Sequence, residues 1–178
     1  GCGVDADESS TAQGMGSTQY EAIGTPLVDK NAWRLTAAAD DPWAAERPPR
    51  FECPDYAFEV EPGGFEIDTG DCEYAVVQQP SLAPIVEGDQ MALIFWHNTL
   101  VADMLTEAHI AVRIGKHAVW QQTVPIPGPS AAYVPTAVAH FSAPAGTPIF
   151  LHLHNHGANT YLFSTFEVRR PKGSASGE

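Results

Sequence analysis

The sequence predicts an all-β protein, an antiparallel and jelly-roll-like β-sandwich of about eight to nine strands. From Phe51 onward, short segments rich in Val, Ile, Phe, Tyr and Thr recur along the chain. Segments with Gly, Pro and Asp, which favour turns, separate them. Many short strands at this spacing are typical of sandwiches and barrels, and a jelly roll is the commonest container for about eight of them.

Each strand is predicted from its own pattern of apolar residues. The strand at 91–98 is apolar on both faces, which places it centrally in a sheet. The strand at 109–114 alternates, with Ile110 facing inward and His109 outward. The segment Thr99–Ala108 breaks the pattern and predicts a short helix or a long loop. The full set of predicted strands is 56–61, 64–68, 72–79, 91–98, 109–114, 117–124, 132–141, 148–156 and 160–169.

The two ends of the chain differ in composition from its centre. Residues 1–50 are rich in small, polar and acidic residues and contain several prolines, which predicts a flexible tether. Residues 51–170 form the predicted sandwich domain, and 171–178 a polar tail. Part of 26–45 is predicted to pack on the domain as an arm, because this stretch contains Trp33, Leu35 and Trp43.

The charge balance narrows the class of partner. The chain has 178 residues, with 22 Asp and Glu against 9 Lys and Arg. This length favours one domain, and the acidity argues against nucleic acid and against electrostatic docking on anionic membranes. No apolar run has the length needed to span a bilayer.

The three cysteines predict an oxidising compartment. Cys53 and Cys72 flank two strand-like segments, an arrangement that suits a hairpin disulfide, and Cys2 is left over. Disulfides persist outside the cytoplasm, so we expect the protein in the periplasm or on the outer surface.

The first residues suggest a role for Cys2. Gly1-Cys2-Gly3 is followed by a polar stretch, and this resembles a bacterial lipoprotein after removal of its signal segment. The resemblance implies that Cys2 is acylated, so that the protein contacts a membrane only through this lipid anchor.

Histidines concentrate in the segment Ile149–Tyr161, which reads as a strand followed by a turn. His152, His154 and His156 are spaced two residues apart, so their side chains leave one face of the strand. Two such imidazoles lie about 7 Å apart at Cα, which suits one metal ion.

The remaining ligands of this metal site would come from elsewhere in the chain. His97, His109 and a carboxylate such as Glu107 are candidates, and His156 could join if a bulge bends the strand. Imidazole-rich sites favour copper or zinc. The alternative is an exposed polar strand face whose histidines are hydrogen-bonded and bind no metal.

The same strand resembles a known family. The phrase His152-Leu-His154-Asn155 is similar to the His-x-His-Asn strand of the copper-dependent peptidylglycine and dopamine monooxygenases, whose domains are jelly rolls. The resemblance implies a copper ligated by His152. That family also uses an adjacent His-His pair, where this chain has Ala108-His109, so the resemblance does not extend to monooxygenase activity.

Two other stretches of the sequence suggest a binding site. Residues 52–73 contain eight acidic and no basic residues, which suits either calcium or a solvated acidic face. A second set of residues could form an aromatic platform that binds a sugar, or could instead belong to the core: Trp96, Trp120, Tyr133, Tyr161 and Phe163.

The leading hypothesis is a non-catalytic metal-binding accessory module with His152 and His154 as its main ligands. The chain has no Gly-x-Ser-x-Gly motif and no phosphate-binding glycine loop, which argues against common enzyme classes. The alternative is a metal-free β-sandwich that binds a carbohydrate or a protein.

Overall fold

A computed structural model describes residues 18–173 and shows two antiparallel sheets packed as a sandwich. The seven strands of sheet A are β1 (Thr25–Pro26), β3 (Phe58–Glu61), β4 (Gly64–Asp68), β6 (Gln90–His97), β9 (Ala131–Tyr133), β10 (Thr136–Val138) and β12 (Thr160–Arg169). The five strands of sheet B are β2 (Arg34–Leu35), β5 (Tyr74–Pro80), β7 (Thr106–Ile114), β8 (His117–Ile126) and β11 (Pro148–His154). Two short 3-10 helices occupy Ala38–Asp40 and Asp55–Ala57.

The order of the strands confirms the predicted antiparallel β-sandwich. Sheet A runs β10-β6-β12-β4-β3, with β1 paired to β12 and β9 to β6, and sheet B runs β2-β5-β11-β7-β8. The chain crosses between the sheets from β5 to β6 to β7, and again from β10 to β11 to β12. The prediction at 132–141 corresponds to two short strands, β9 and β10. The segment Thr99–Ala108 is irregular as far as Leu105 and then joins β7.

The core forms because strand side chains alternate between the two faces of each sheet. On β11, Ile149, Leu151 and Leu153 point into the sandwich, where they are at most 2% exposed. Phe95 and Phe163 line the opposite wall from sheet A, with ring centroids 5.6 Å apart. Each such side chain contributes roughly 1.5–3 kcal/mol when it is fully buried.

A disulfide and several hydrogen bonds connect the loops at one end of the sandwich to one another. Cys53 and Cys72 are joined in a disulfide, as predicted. The Asn155 side chain donates to Thr69 Oγ1 at 2.8 Å and accepts from the Tyr161 hydroxyl at 2.8 Å. Gly157 has a φ of +96°, and a side chain there would collide with a neighbouring backbone carbonyl. The turn after β11 is therefore held in one conformation.

Residues 18–50, which belong to the stretch 1–50 predicted as a flexible tether with only part of 26–45 packed on the domain, lie against the sandwich. Leu27 is fully buried, β1 pairs with β12, and β2 pairs with β5. Residues 36–51, which only partly overlap the stretch 26–45 discussed above, cross the outer face of sheet B. From here on, the name arm refers to residues 36–51. Here the large apolar residues Trp43 and Phe51 pack against sheet B.

The flanking residues 1–17 and 174–178 lie outside the described part of the chain, so the lipid anchor expected at Cys2 falls there. Within the described residues, no helix has the length and apolarity needed to cross a bilayer.

Candidate functional site

Three of the histidines gather on the outer face of sheet B. His152 and His154 share that face of β11, as their spacing predicted, because the inward face carries leucines. The pairing of β11 with β7 places His154 opposite His109 and His152 opposite Ala111. The imidazoles of His109 and His152 have ring centroids 5.1 Å apart.

Aromatic rings enclose His152 from two sides. The indole of Trp43, from the arm, stacks on the imidazole with ring centroids 4.8 Å apart and planes inclined by 15°. Tyr74, from β5, meets the same imidazole edge-on at 5.1 Å. The Tyr74 hydroxyl donates to Asp41 Oδ2 at 2.8 Å, and Arg47 donates to the same oxygen at 3.0 Å. These contacts hold the arm over the histidines.

A carboxylate from the arm completes a cluster with two of the histidines. Glu46 Oε2 lies 3.0 Å from His109 Nδ1 and 3.7 Å from His152 Nε2. One ligand atom from each residue lies within 4.8 Å of the other two. Bonds of 2.0–2.1 Å to a tetrahedral metal require ligand atoms about 3.4 Å apart. The two distances to Glu46 lie on either side of this value, so the remaining adjustment is between the imidazole nitrogens of His109 and His152, which would approach each other by at most about 1.4 Å.

The polar atoms of His152 are buried without partners. Its side chain is fully buried, and neither ring nitrogen has a hydrogen-bond partner within the described part of the chain. Burial lowers the pKa of His152 to about 3, reinforced by the neighbouring His109 and His154. Asp41 and the Ala75 backbone raise this pKa more weakly, although the Ala75 contact lacks hydrogen-bond geometry. The ring is consequently a neutral imidazole with a free lone pair at neutral pH.

The other sequence-predicted histidines take different positions. His154 lies half-buried beside the cluster, 6.4 Å from His152 between ring centroids, and burial lowers its pKa. His156 follows the end of β11 and is exposed, with its ring 5.0 Å from that of His154. Glu107 is exposed and does not join the cluster.

His97 is separated from the cluster by the sandwich itself. It ends β6 in sheet A, where its ring lies 5.4 Å from the ring of Tyr161. Its Nδ1 is 2.7 Å from the carbonyl of Asn98, so this imidazole is already hydrogen-bonded. The structure therefore does not bring His97 together with His109 and His152.

Glu46 and Tyr74 were missed by the sequence analysis. Glu46 belongs to a stretch that was assigned to the tether, and Tyr74 to the middle of an ordinary strand pattern. The available indication was Trp43, because a tryptophan in a polar stretch is expected to pack on the domain, and Glu46 lies only three residues further along the chain.

No known protein-family model matches the chain, and no curated protein sequence matches it. Two solved structures are similar at low identity. One is a CBM4 domain, with a TM-score of 0.40 and 12% identity over 62% of this chain and 86% of that chain. The other is the second N-terminal cellulose-binding domain of β-1,4-glucanase C from Cellulomonas fimi, with a TM-score of 0.45 and 16% identity over 88% and 97% of the two chains.

A groove opens on sheet B beside the arm. It has a volume of about 480 Å³ and lies between Trp43, Arg113 and Gln121, above the edge strand β8. The guanidinium carbon of Arg113 is 5.8 Å from the centroid of the Trp43 ring. An indole beside a cation and a carboxamide offers both a stacking surface and hydrogen-bond donors.

The aromatic platform considered from the sequence is not formed. Tyr161 is fully buried and Phe163 is 4% exposed, so both belong to the core. Trp96 is 37% exposed, whereas Trp120 packs against Phe95 with ring centroids 5.4 Å apart. These rings do not share one exposed surface.

The acidic stretch brings together three glutamates on the surface. Glu59, Glu61 and Glu66 offer carboxylate oxygens within 4.8 Å of one another. The pKa of Glu66 is raised by partial burial and by its acidic neighbours. Exposed acidic groups of this kind are expected on a strand edge that must not pair with another chain.

Proposed function

We propose that this β-sandwich binds a transition-metal ion, zinc or copper, through Glu46, His109 and His152. The observation that carries the proposal is the buried imidazole of His152. A buried polar group normally has a hydrogen-bond partner, and neither nitrogen of this ring has one within the described residues. A bound metal would supply the partner, and the neutral ring needs no deprotonation to bind it.

The kind of ligand supports zinc or copper. Two imidazoles and one carboxylate suit these borderline ions better than calcium or magnesium, which prefer oxygen ligands alone. Three protein ligands leave a fourth position open to water or another molecule. His154 stands next to the cluster and is the nearest further imidazole.

The test measures binding of Zn²⁺ and Cu²⁺ to chelator-treated protein by calorimetry and elemental analysis. A Cys2→Ser background removes the one thiol outside the disulfide. We expect one ion per chain. Glu46→Gln and His109→Gln should weaken binding by at least the 10–100-fold that loss of an outer-shell partner costs. Both positions are partly exposed, so the variants should fold.

His140→Ala is the matched control, because it removes an exposed imidazole away from the cluster and should leave affinity unchanged. The double variant His152→Ala, His154→Ala should abolish stoichiometric binding. Absence of binding by the parent protein, or equal binding by the Glu46, His109 and His140 variants, would contradict the proposal.

A second candidate function is recognition of a carbohydrate in the groove beside Trp43. The observation that favours it is the combination of Trp43, Arg113 and Gln121 around an open space of about 480 Å³. Aromatic faces stack on sugar rings, and the polar groups fix orientation. Screening soluble oligosaccharides by calorimetry, with Gln121→Ala as the binding-deficient variant, tests this function separately from metal binding.

We further propose that the protein works outside the cytoplasm, anchored through a lipid on Cys2. The disulfide between Cys53 and Cys72 supports an oxidising compartment. Cell fractionation of the parent and of Cys2→Ser tests the anchor. The variant should move from the membrane to the soluble fraction.

A further inference from the structure

The three candidate ligands lie on three separate pieces of the chain. His109 belongs to β7 and His152 to β11, two neighbouring strands of sheet B. Glu46 is the only member of the group that comes from the arm. An ion held by all three would therefore connect the arm to the sheet.

The central part of the arm is attached to the sheet by side chains. Its backbone hydrogen bonds are local turns, from Ala44 to Asp41 and from Glu46 to Trp43. Its contacts with sheet B include the stacking of Trp43, the Tyr74–Asp41 hydrogen bond and a 3.3 Å bond from Arg113 to the Pro42 carbonyl. The Tyr74 hydroxyl also donates to the Trp43 carbonyl at 3.1 Å, and Glu46 lies 3.0 Å from His109. A segment without strand pairing opens locally more easily than the sheet beneath it.

The position of the arm determines two other features of this face. Trp43 covers His152 on one side and forms a wall of the groove with Arg113 and Gln121 on the other. Glu46 follows Trp43 by three residues and is bonded to it through the backbone at 2.8 Å. A ligand bond to Glu46 therefore also fixes the Trp43 backbone.

We infer that metal binding fastens the arm to sheet B through Glu46 and thereby completes the groove beside Trp43. This inference rests on the proposed metal site. An ion that binds the docked arm better than the undocked arm shifts the equilibrium toward docking, by its difference in affinity for the two states. The coupling is reciprocal, so a ligand that binds the completed groove raises the affinity for the metal.

Trypsin reports directly on the docking of the arm. Arg50 is exposed, whereas the adjoining Phe51 packs on Tyr74 with ring centroids 5.4 Å apart, so cleavage between them requires the arm to open. Arg34 lies in β2, outside the arm, and serves as the internal control. The experiment follows both cleavages in the Cys2→Ser protein, without metal and with saturating Zn²⁺, while calorimetry measures binding in the same samples.

We expect Zn²⁺ to slow cleavage at Arg50 by about tenfold or more, as mass action predicts for an ion well above its dissociation constant. Cleavage at Arg34 should stay unchanged, which excludes inhibition of the protease. In Glu46→Gln, Zn²⁺ still held by the histidines should no longer protect Arg50. The inference is overturned if Zn²⁺ binds but Arg50 is not protected, or if Glu46→Gln is protected as well as the parent. Absence of Zn²⁺ binding overturns the metal site itself.

Discussion

The imidazole of His152 lies nearly parallel to the indole of Trp43, with ring centroids 4.8 Å apart. One ring belongs to a central strand of sheet B and the other to the arm that crosses its outer face. The strand alone would leave this histidine on an open face of the sheet. The arm excludes water from it, and this burial is the main cause of its low pKa.

Replacing Trp43 by Ala should therefore raise the pKa of His152 from about 3 toward the ordinary value for histidine. Removing the indole admits water, which stabilises the charged ring. The free energy of unfolding should also fall, by about 1–3 kcal/mol. Titration of the imidazole protons by NMR in metal-free protein measures the first effect, and urea denaturation measures the second.

Two variants complete this test. Trp43→Phe keeps an aromatic cover and should retain most of the pKa shift. Trp96→Ala removes a half-exposed indole from sheet A and should leave the His152 titration unchanged. If the titration of His152 in Trp43→Ala matches that of the parent, the arm is not what buries this ring.

The hydrogen bond from Tyr74 to Asp41 should contribute measurably to stability. Tyr74→Phe removes the donor at 2.8 Å from a carboxylate that is 7% exposed and that also accepts from Arg47. Hydrogen bonds to charged groups contribute about 1.5–3 kcal/mol, so we expect a loss of that size in urea denaturation. Tyr56→Phe is the control, because Tyr56 is 70% exposed, and it should change stability by less than about 0.5 kcal/mol. Equal effects of the two variants would show that the bond is not formed in solution.

The fold could be predicted because each strand has a recognisable pattern in its own short stretch of sequence. Alternation of side chains along a strand depends only on residues two positions apart, and all the predicted strand segments correspond to strands in the structure. The shared face of His152 and His154 follows from the same rule. The split of 132–141 into β9 and β10 was missed, because Pro135 interrupts the pairing without changing the apolar pattern.

The composition of the site could be predicted only in part, because contacts between distant segments have no local pattern. The sequence places His97 and His109 at the ends of two predicted strands, yet β6 belongs to sheet A and β7 to sheet B, so only His109 reaches His152. Glu46 was hidden by the polar composition around it, which resembles that of a tether. Its place in the cluster depends on how the arm packs, which in turn depends on the aromatic residues Trp43 and Phe51 and on buried hydrogen bonds.

The disulfide should be a main contributor to stability. Cys53 and Cys72 are separated by 19 residues, and closing a loop of about this length stabilises by roughly 3 kcal/mol in the chain-entropy model. We expect the Cys53→Ala, Cys72→Ala variant to lose about this much in urea denaturation. Reduction of the parent protein should reproduce the loss, whereas Cys2→Ser should not. A parent protein equally stable with and without reductant would contradict the prediction.

The buried hydroxyl of Tyr161 should make the protein sensitive to alkaline pH. Burial raises the pKa of this phenol, and its hydroxyl donates to Asn155 Oδ1 at 2.8 Å. Below pH of about 10 the phenol is neutral in both the folded and the unfolded chain, so the full stability is present. Above that value the unfolded chain releases the proton while the folded chain keeps it, so stability falls as pH rises.

The loss assigned to Tyr161 approaches about 1.4 kcal/mol for each further pH unit. Urea denaturation at pH 9 and pH 11 measures it, in the Cys2→Ser background to prevent thiol exchange. Tyr161→Phe should be less stable than the parent at pH 9, because Asn155 loses a buried partner, but should lose less between the two pH values. Burial also raises the pKa of Tyr74, so Tyr74→Phe should remove a second part of the loss of stability between pH 9 and pH 11. The double variant of Tyr74 and Tyr161 should remove both parts.

Tyr56→Phe is the control and should lose as much stability between the two pH values as the parent. An equally steep loss in Tyr161→Phe would mean that the alkaline sensitivity arises from other groups.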